Sequence, residues 1–421
     1  MKRFLLLLVL FTSVNGYLYS QVPDSLLQLE QIIQEVISNN PNLESYHQQW
    51  DASRTRISQA QALPDPVLGL NLMNLPVNSF SFNQEPMTGK QLTIMQMFPF
   101  PGKLDLQGSI AESESMIAEQ QFHELQNQLI KRAKVVYYDL SYVEVALETV
   151  HNNKDLLSDF VSIAETRYEV GRGLQQDVLR AQVALSKMID QELKLIQKKV
   201  DLQAQLNALM NKPANLPLGK AVISEQLKTV ASLDSLMLVA SSKRPLLKAW
   251  DIKLDQSEQR VNLAQKNLYP DFSVGVAYTQ RNELDNGMNG YDFLSAMFSI
   301  KVPIYSKNKQ SQKLQETRIL KGSTESNLES VRSGIEEQIQ LTLSSIQKNR
   351  QLLHLYETGI LPQAEESLES SMAGYQNDKV DFLSLLDSEL TLFNFRLDYY
   401  RFLADYQKEI AALEALIGTQ L

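Results

Sequence analysis

The chain has 421 residues, with 40 Lys and Arg against 49 Asp and Glu, a net charge of −9, four histidines and no cysteine. Without cysteine there is no disulfide framework, thiolate metal site, catalytic thiol or lipid-bearing N-terminal cysteine. The acidic balance, with no clusters of Lys and Arg to neutralise phosphates, excludes nucleic acid as a natural partner.

Taken in chain order, Lys2-Arg3 precede the apolar stretch Phe4 to Phe11. A basic n-region and a short h-region, well below the ~20 residues that span a bilayer as a helix, read as a removed secretory signal over residues 1–20. Gly16 and Ser20 are the alternative cleavage positions. No later stretch approaches 18 consecutive apolar residues, so no transmembrane helix is expected.

Residues 24–215 read as one structural unit. A helical segment stops ahead of Pro64 and Pro66, as helices do before proline. Leu68, Leu70 and Leu72, then Leu92 and Ile94, alternate as in half-buried strands over 66–74 and 90–98, with a turn-rich loop between them. After Pro101 proline disappears until Pro213. A helix from Leu104 to Val170 would measure roughly 100 Å at about 1.5 Å per residue. Gly171-Arg172-Gly173 breaks it, giving a tip near 171–174. A three-four apolar pattern then returns from Val178 and Ala181 through Met188 to Leu206 and Leu209, the signature of coiled-coil-like packing.

Residues 230–421 repeat this plan. Pro41/Pro245, Arg56/Arg260, Pro66/Pro270 and Pro99/Pro303 recur 204 residues apart, and Tyr168/Tyr375, Leu179/Leu386, Leu206/Leu413 and Leu209/Leu416 recur 207 apart. Strands are expected over 271–281 and 292–302, where Phe272, Val274, Val276 and Tyr278 face one way and Ser273, Gly275, Ala277 and Thr279 the other. A second tip falls near 376–381. The fold class is therefore mainly α with a small β part: long antiparallel helical hairpins, four strands per chain and an internal two-fold repeat.

Four strands cannot enclose a lumen, yet a sheet in lipid must close to satisfy its backbone. Three copies would supply twelve strands, within the even numbers of outer-membrane barrels. The alternative from pattern alone is a small soluble sheet capping a helical bundle.

Three further stretches carry a family resemblance. They are Ala60-x-x-Leu63-Pro64-Asp65-Pro66 before a strand, Phe98-Pro99-Phe100-Pro101-Gly102-Lys103 after one, and Tyr168-x-x-Gly171 followed by Asp177-Val178-Leu179-x-Ala181-Gln182 at the first tip. With Asn40-Pro41-x-Leu43 and the duplication, the chain resembles the TolC-type outer-membrane efflux proteins. The resemblance implies a homotrimeric channel-tunnel, with a 12-stranded β-barrel in outer-membrane lipid and an α-barrel tunnel in the periplasm. It implies a passive exit duct for an efflux pump or type I secretion system, coupled to a periplasmic adaptor and an inner-membrane transporter, with no catalysis and no cofactor. A periplasmic coiled-coil adaptor or scaffold without a barrel is the competing reading.

By position, the resemblance assigns adaptor docking to Gly171, Arg172, Gly173 and Leu174 and to Asp378, Lys379, Val380 and Asp381. Asp378 stands where the first tip has Gly171; aspartate tolerates the left-handed turn better than most residues. The family's acidic entrance pair maps onto Ser384 and Asp387, so one acid is missing, and Asp177 is the first-copy equivalent of Ser384. Asp177 and Asp387 also suit ordinary helix-start carboxylates favoured by the dipole. His47, His123, His151 and His354 lack metal-ligand spacing. Met73, Met87, Met95, Met97, Met288 and Met297 cluster in or near the strands, where soft-metal contact competes with plain packing.

Overall fold

The dipeptide Asn40-Pro41 sets the first boundary. A residue before proline is driven to extended backbone, while proline itself suits the first turn of a helix. In the computed structural model, which describes residues 26–421, a two-residue strand β1 (Leu26–Leu27) leads into α1 (Leu29–Asn39), and α2 (Pro41–Gln61) begins at the proline. The signal segment expected over residues 1–20 lies outside the described residues. Asn40 caps α2, its Oδ1 accepting from the Asn42 and Leu43 amides, and its Nδ2 donates to the Leu209 carbonyl at 2.9 Å. One side chain thus satisfies a helix start and ties it to a helix end far along the chain.

Next come β2 (Val67–Met73) and β3 (Gly89–Phe98), then α3 (Lys103–Glu169), a single helix of 67 residues, and its returning partner α4 (Gln175–Leu209). A short strand β4 (Lys220–Ala221) pairs in parallel with β1. The second half follows with α5 (Leu233–Lys243), α6 (Pro245–Lys266), β5 (Asp271–Gln280), β6 (Phe293–Lys301), α7 (Gln310–Leu355), α8 (Leu361–Gln376) and α9 (Phe382–Ile417). The element order therefore repeats, with one departure. Between α7 and α8 a five-residue π turn, Tyr356–Ile360, interrupts the helix just ahead of Pro362. Proline cannot donate to the helical ladder, and the wider turn absorbs that loss.

Arg244 replaces the Asn40 cap in the second half. Its side chain makes no cap bond, and Glu124 of α3 instead accepts from the Leu246 amide at 3.3 Å while pairing with Arg244 at 3.6 Å. Burial lowers the pKa of the Arg244 guanidinium, partly offset by Glu124.

The four long strands form one antiparallel sheet in the order β2-β3-β5-β6. Its register places Leu70, Leu92, Tyr278 and Leu294 in one row, and Leu68, Ile94, Val276 and Ala296 in the next, on a single face. The helices bury three apolar clusters. One joins α1, α3 and α4 around Leu140 and Leu206, a second joins α5, α7 and α9 around Ile339 and Leu413, and a third runs between α3, α4 and α9 towards the tips around Leu157 and Leu385. The mainly helical class with four long strands is what the structure shows.

Candidate functional site

The tips are built by one backbone device used twice. At the end of α3 the Gly171 amide donates to Tyr168 O at 3.0 Å and the Arg172 amide to Arg167 O at 2.8 Å, with Gly171 at φ 72°. At the end of α8 the Asp378 amide donates to Tyr375 O at 3.2 Å and the Lys379 amide to Gly374 O at 2.9 Å, with Asp378 at φ 57°. Both are Schellman closures, in which a left-handed residue lets two amides satisfy carbonyls that would otherwise be orphaned.

The side chains exchange sizes between the two turns. A Cβ on Gly173 would lie 3.1 Å from Arg167 Cβ, whereas at the second tip the glycine is Gly374 and the neighbour packed over it is Val380. Arg167, passing Gly173, crosses to the other tip. Its Nη2 lies 2.8 Å from Asp378 Oδ1 and donates to Tyr375 O at 3.2 Å, and its guanidinium stacks 4.3 Å from the Tyr375 ring centroid. Burial raises the Tyr375 phenol, with Arg167 pulling the other way.

Sequence reading missed Arg167 and Tyr375. Their partners lie some 208 positions apart, and only the duplicated tyrosines Tyr168 and Tyr375 hinted at a matched pair. Gly171 to Leu174 and Asp378 to Asp381 do form the two turns, with Arg172, Leu174, Lys379 and Asp381 exposed. Asp381 carries a local task as well. It caps α9, accepting from the Ser384 amide at 2.7 Å, and that bond holds its carboxyl below the usual range. Ser384 and Asp387 lie exposed on the first two turns of α9, and Asp177 sits in the first turn of α4. The structure thus gathers the tip residues at one end of the molecule.

The sheet lies at the other end. Its apolar face stays exposed at Leu68, Leu70, Ile94, Val276, Leu294 and Phe298. The opposite face carries the hydrogen-bonded row Asn71, Gln91 and Thr279, with bonds of 3.3 and 3.2 Å. On that second face Met95 and Met297 flank Gly275, while Met87 and Met288 lie in the loops. Towards the helices, Phe98 stacks on Phe272 at 5.6 Å and Phe100 on Tyr269 at 4.6 Å. Lys103 reaches Asp271 at 2.7 Å and seals the strand-to-helix junction. Among the described residues no group of three His, Asp or Glu side chains could hold a metal, and no helix is long and apolar enough to cross a membrane.

An open-edged sheet, apolar on one face and more polar on the other, joined to helices of roughly 100 Å, defines a class in which barrel strands continue into a helical tunnel. The chain belongs to the outer membrane efflux protein family, whose sequence profile matches residues 32–212 and 237–419. Over 409 residues it is 19% identical to the cobalt-zinc-cadmium resistance protein CzcC of Cupriavidus metallidurans, covering 93% of this chain and 90% of that protein. It is 21% identical to the outer membrane protein TolC of Vibrio cholerae over 406 residues, with the same coverage of 93% and 90%. The structure superposes on CusC with a TM-score of 0.80 at 16% identity, covering 93% of this chain and 92% of CusC. It superposes on VceC of Vibrio cholerae with a TM-score of 0.79 at 18% identity, covering 93% and 96%. These likenesses show the fold.

Proposed function

We propose that the protein is a homotrimeric outer-membrane exit duct, its two tandem repeats (24–215 and 230–421) each supplying two strands and one helical hairpin. The observation that carries this reading is the sheet itself, whose edge strands β2 and β6 have no neighbour on one side while its exposed face is apolar. Unpaired backbone in lipid costs several kcal/mol per group, so the edges must be met by other copies, and three copies close twelve strands. The α4 helix supports the same assembly. On the side away from its buried seam it exposes a second apolar set, Leu179, Val183, Leu193, Ile196 and Val200, suited to a neighbouring copy.

In this arrangement the aromatic cluster at Phe98, Phe272, Phe100 and Tyr269 marks the periplasmic boundary of outer-membrane lipid, and the helices cross the periplasm. The face with Asn71, Gln91, Thr93 and Thr279 becomes the lumen wall. Its rows carry no charge between the loops and the Asp271–Lys301 pair, so cargo selection falls to the inner-membrane transporter. Gly171 to Leu174 and Asp378 to Asp381 then dock a periplasmic adaptor, and Asp387, with Ser384 and Asp177, rims the entrance.

Purified full-length protein should form discrete conductance steps in planar bilayers and resist extraction from membranes by carbonate. Release by carbonate without conductance would instead indicate a periplasmic adaptor or scaffold. Asp387→Ala should weaken block by multivalent cations with assembly intact; unchanged block would remove Asp387 from the entrance.

A further inference from the structure

Along the stretch nearer the tips, the seam between α3 and α9 is apolar on both sides except at one level. There Asn153 on α3 and Glu389 on α9 sit 6% and 5% exposed, between Val150 and Leu157 on one helix and Leu386 and Phe393 on the other. Asn153 Nδ2 donates to Glu389 Oε1 at 2.5 Å. The second atom of each group, Asn153 Oδ1 and Glu389 Oε2, is buried with no partner. With the carboxyl ionised, both orphans are acceptors, and neither can serve the other. A buried polar group without a partner is costly, and a buried charge more so.

One proton resolves both orphans. We propose that Glu389 is a carboxylic acid at neutral pH, its Oε2–H donating to Asn153 Oδ1 to close a two-bond acid–amide ring. The ring latches α9, about two turns after its start, to α3, and loss of the proton loosens that seam. Only the latch's nearness to a channel mouth rests on the proposed function; the protonation does not.

The charged surroundings fit. Arg396, on α9 itself, is held by Glu365 of α8 at 2.9 Å. On α3, Glu148 turns to Lys220 at 3.0 Å, and Lys154 is held by Glu192 of α4 at 2.8 Å, with His151 also 3.9 Å from Glu192. No cation among the described residues donates to Glu389. Burial pushes its carboxyl above the ordinary carboxylate range, and Arg396 and the Asn153 bond offset this only in part. A cavity of about 480 Å³ beside the pair, lined by Thr149, Asn152 and Tyr400, offers water to the carboxylate once it ionises.

The test uses full-length protein in detergent. Infrared spectra at pH 7 should contain the C=O stretch of a protonated carboxyl that Glu389→Gln removes. Glutamine keeps both bonds of the ring, so E389Q should melt at or above the wild-type temperature, while Glu389→Ala and Asn153→Leu melt lower. A raised folded-state pKa gives stability that is full below the unfolded value and lost as pH rises through the folded one. The wild-type melting temperature should therefore fall with rising pH more steeply than that of E389Q. No Glu389-dependent acid band at pH 7, or the same pH dependence in both proteins, would overturn the proposal. So would calcium or magnesium stabilising wild type but not E389Q, which would assign the orphan oxygens to a metal ion. The infrared and melting readouts do not require a conducting channel, so failure of the duct reading and failure of the latch are separable.

Discussion

Gly171 and Asp378 hold the same left-handed position in equivalent turns, at φ 72° and 57°. The Asp378 substitution was legible in the sequence because few non-glycine residues accept that backbone. Its ion pair with Arg167 was not, since it depends on two hairpins lying side by side. Gly171→Ala places a Cβ in open space, so its cost is backbone strain alone, about 1–2 kcal/mol at the first tip. Amide exchange should speed up around 168–174 with the rest of the chain unchanged. A larger buried effect sits at Glu414, which is 6% exposed and pairs with Lys134 at 2.5 Å and Lys228 at 3.1 Å. Burial alone would raise this carboxyl, but the two lysines and the Leu421 amide hold it below its usual range. A depressed pKa gives stability that is present above the unfolded value and lost as pH falls through the folded one. Glu414→Gln should cost about 3–5 kcal/mol at neutral pH. It should also flatten the acid limb of the wild-type stability curve, and a melting temperature unchanged by the substitution would refute that ion network.

For the elements, periodicity served where one face dominates. The three-four pattern on α4 located its buried seam at Ala181, Met188, Leu202 and Leu206. It did not pick out Leu179, Val183, Leu193, Ile196 and Val200, because these lie on the opposite side of the helix from the seam that the pattern follows. The π turn at Tyr356–Ile360 was equally hidden. Pro362 follows the wide turn, where Tyr356 packs edge-on against Phe395 and Phe402, at 5.9 and 5.3 Å. The strands were easier, since period-two alternation fixes both existence and facing, and the apolar rows fell on one face as the alternation required. Leu193 is 62% exposed in one chain, so Leu193→Lys should leave the hairpin folded. Buried against a neighbour it would strand a charge, shifting the protein from trimer to monomer in sedimentation. A full trimer population for this variant would show that the α4 stripe is not an interface.

For the whole molecule, duplication was the most informative signal. Matched prolines 204 residues apart gave the element order of both halves, and the long proline-free stretch gave α3 nearly to the residue. The assembly was less legible, because one chain carries only the open edges of β2 and β6 and the exposed face between them. The two tips lie at the end of the molecule opposite the sheet, as a duct requires if it is to reach a partner across a second compartment. In the proposed assembly, three copies close these edges into one barrel and one tunnel. Electron-microscope projections of the full-length protein in detergent test it directly. Three closed copies give threefold end views with a central lumen, and side views in which a short barrel continues into a tube roughly 100 Å long. Single-chain particles, or end views with no lumen and no threefold symmetry, would contradict it.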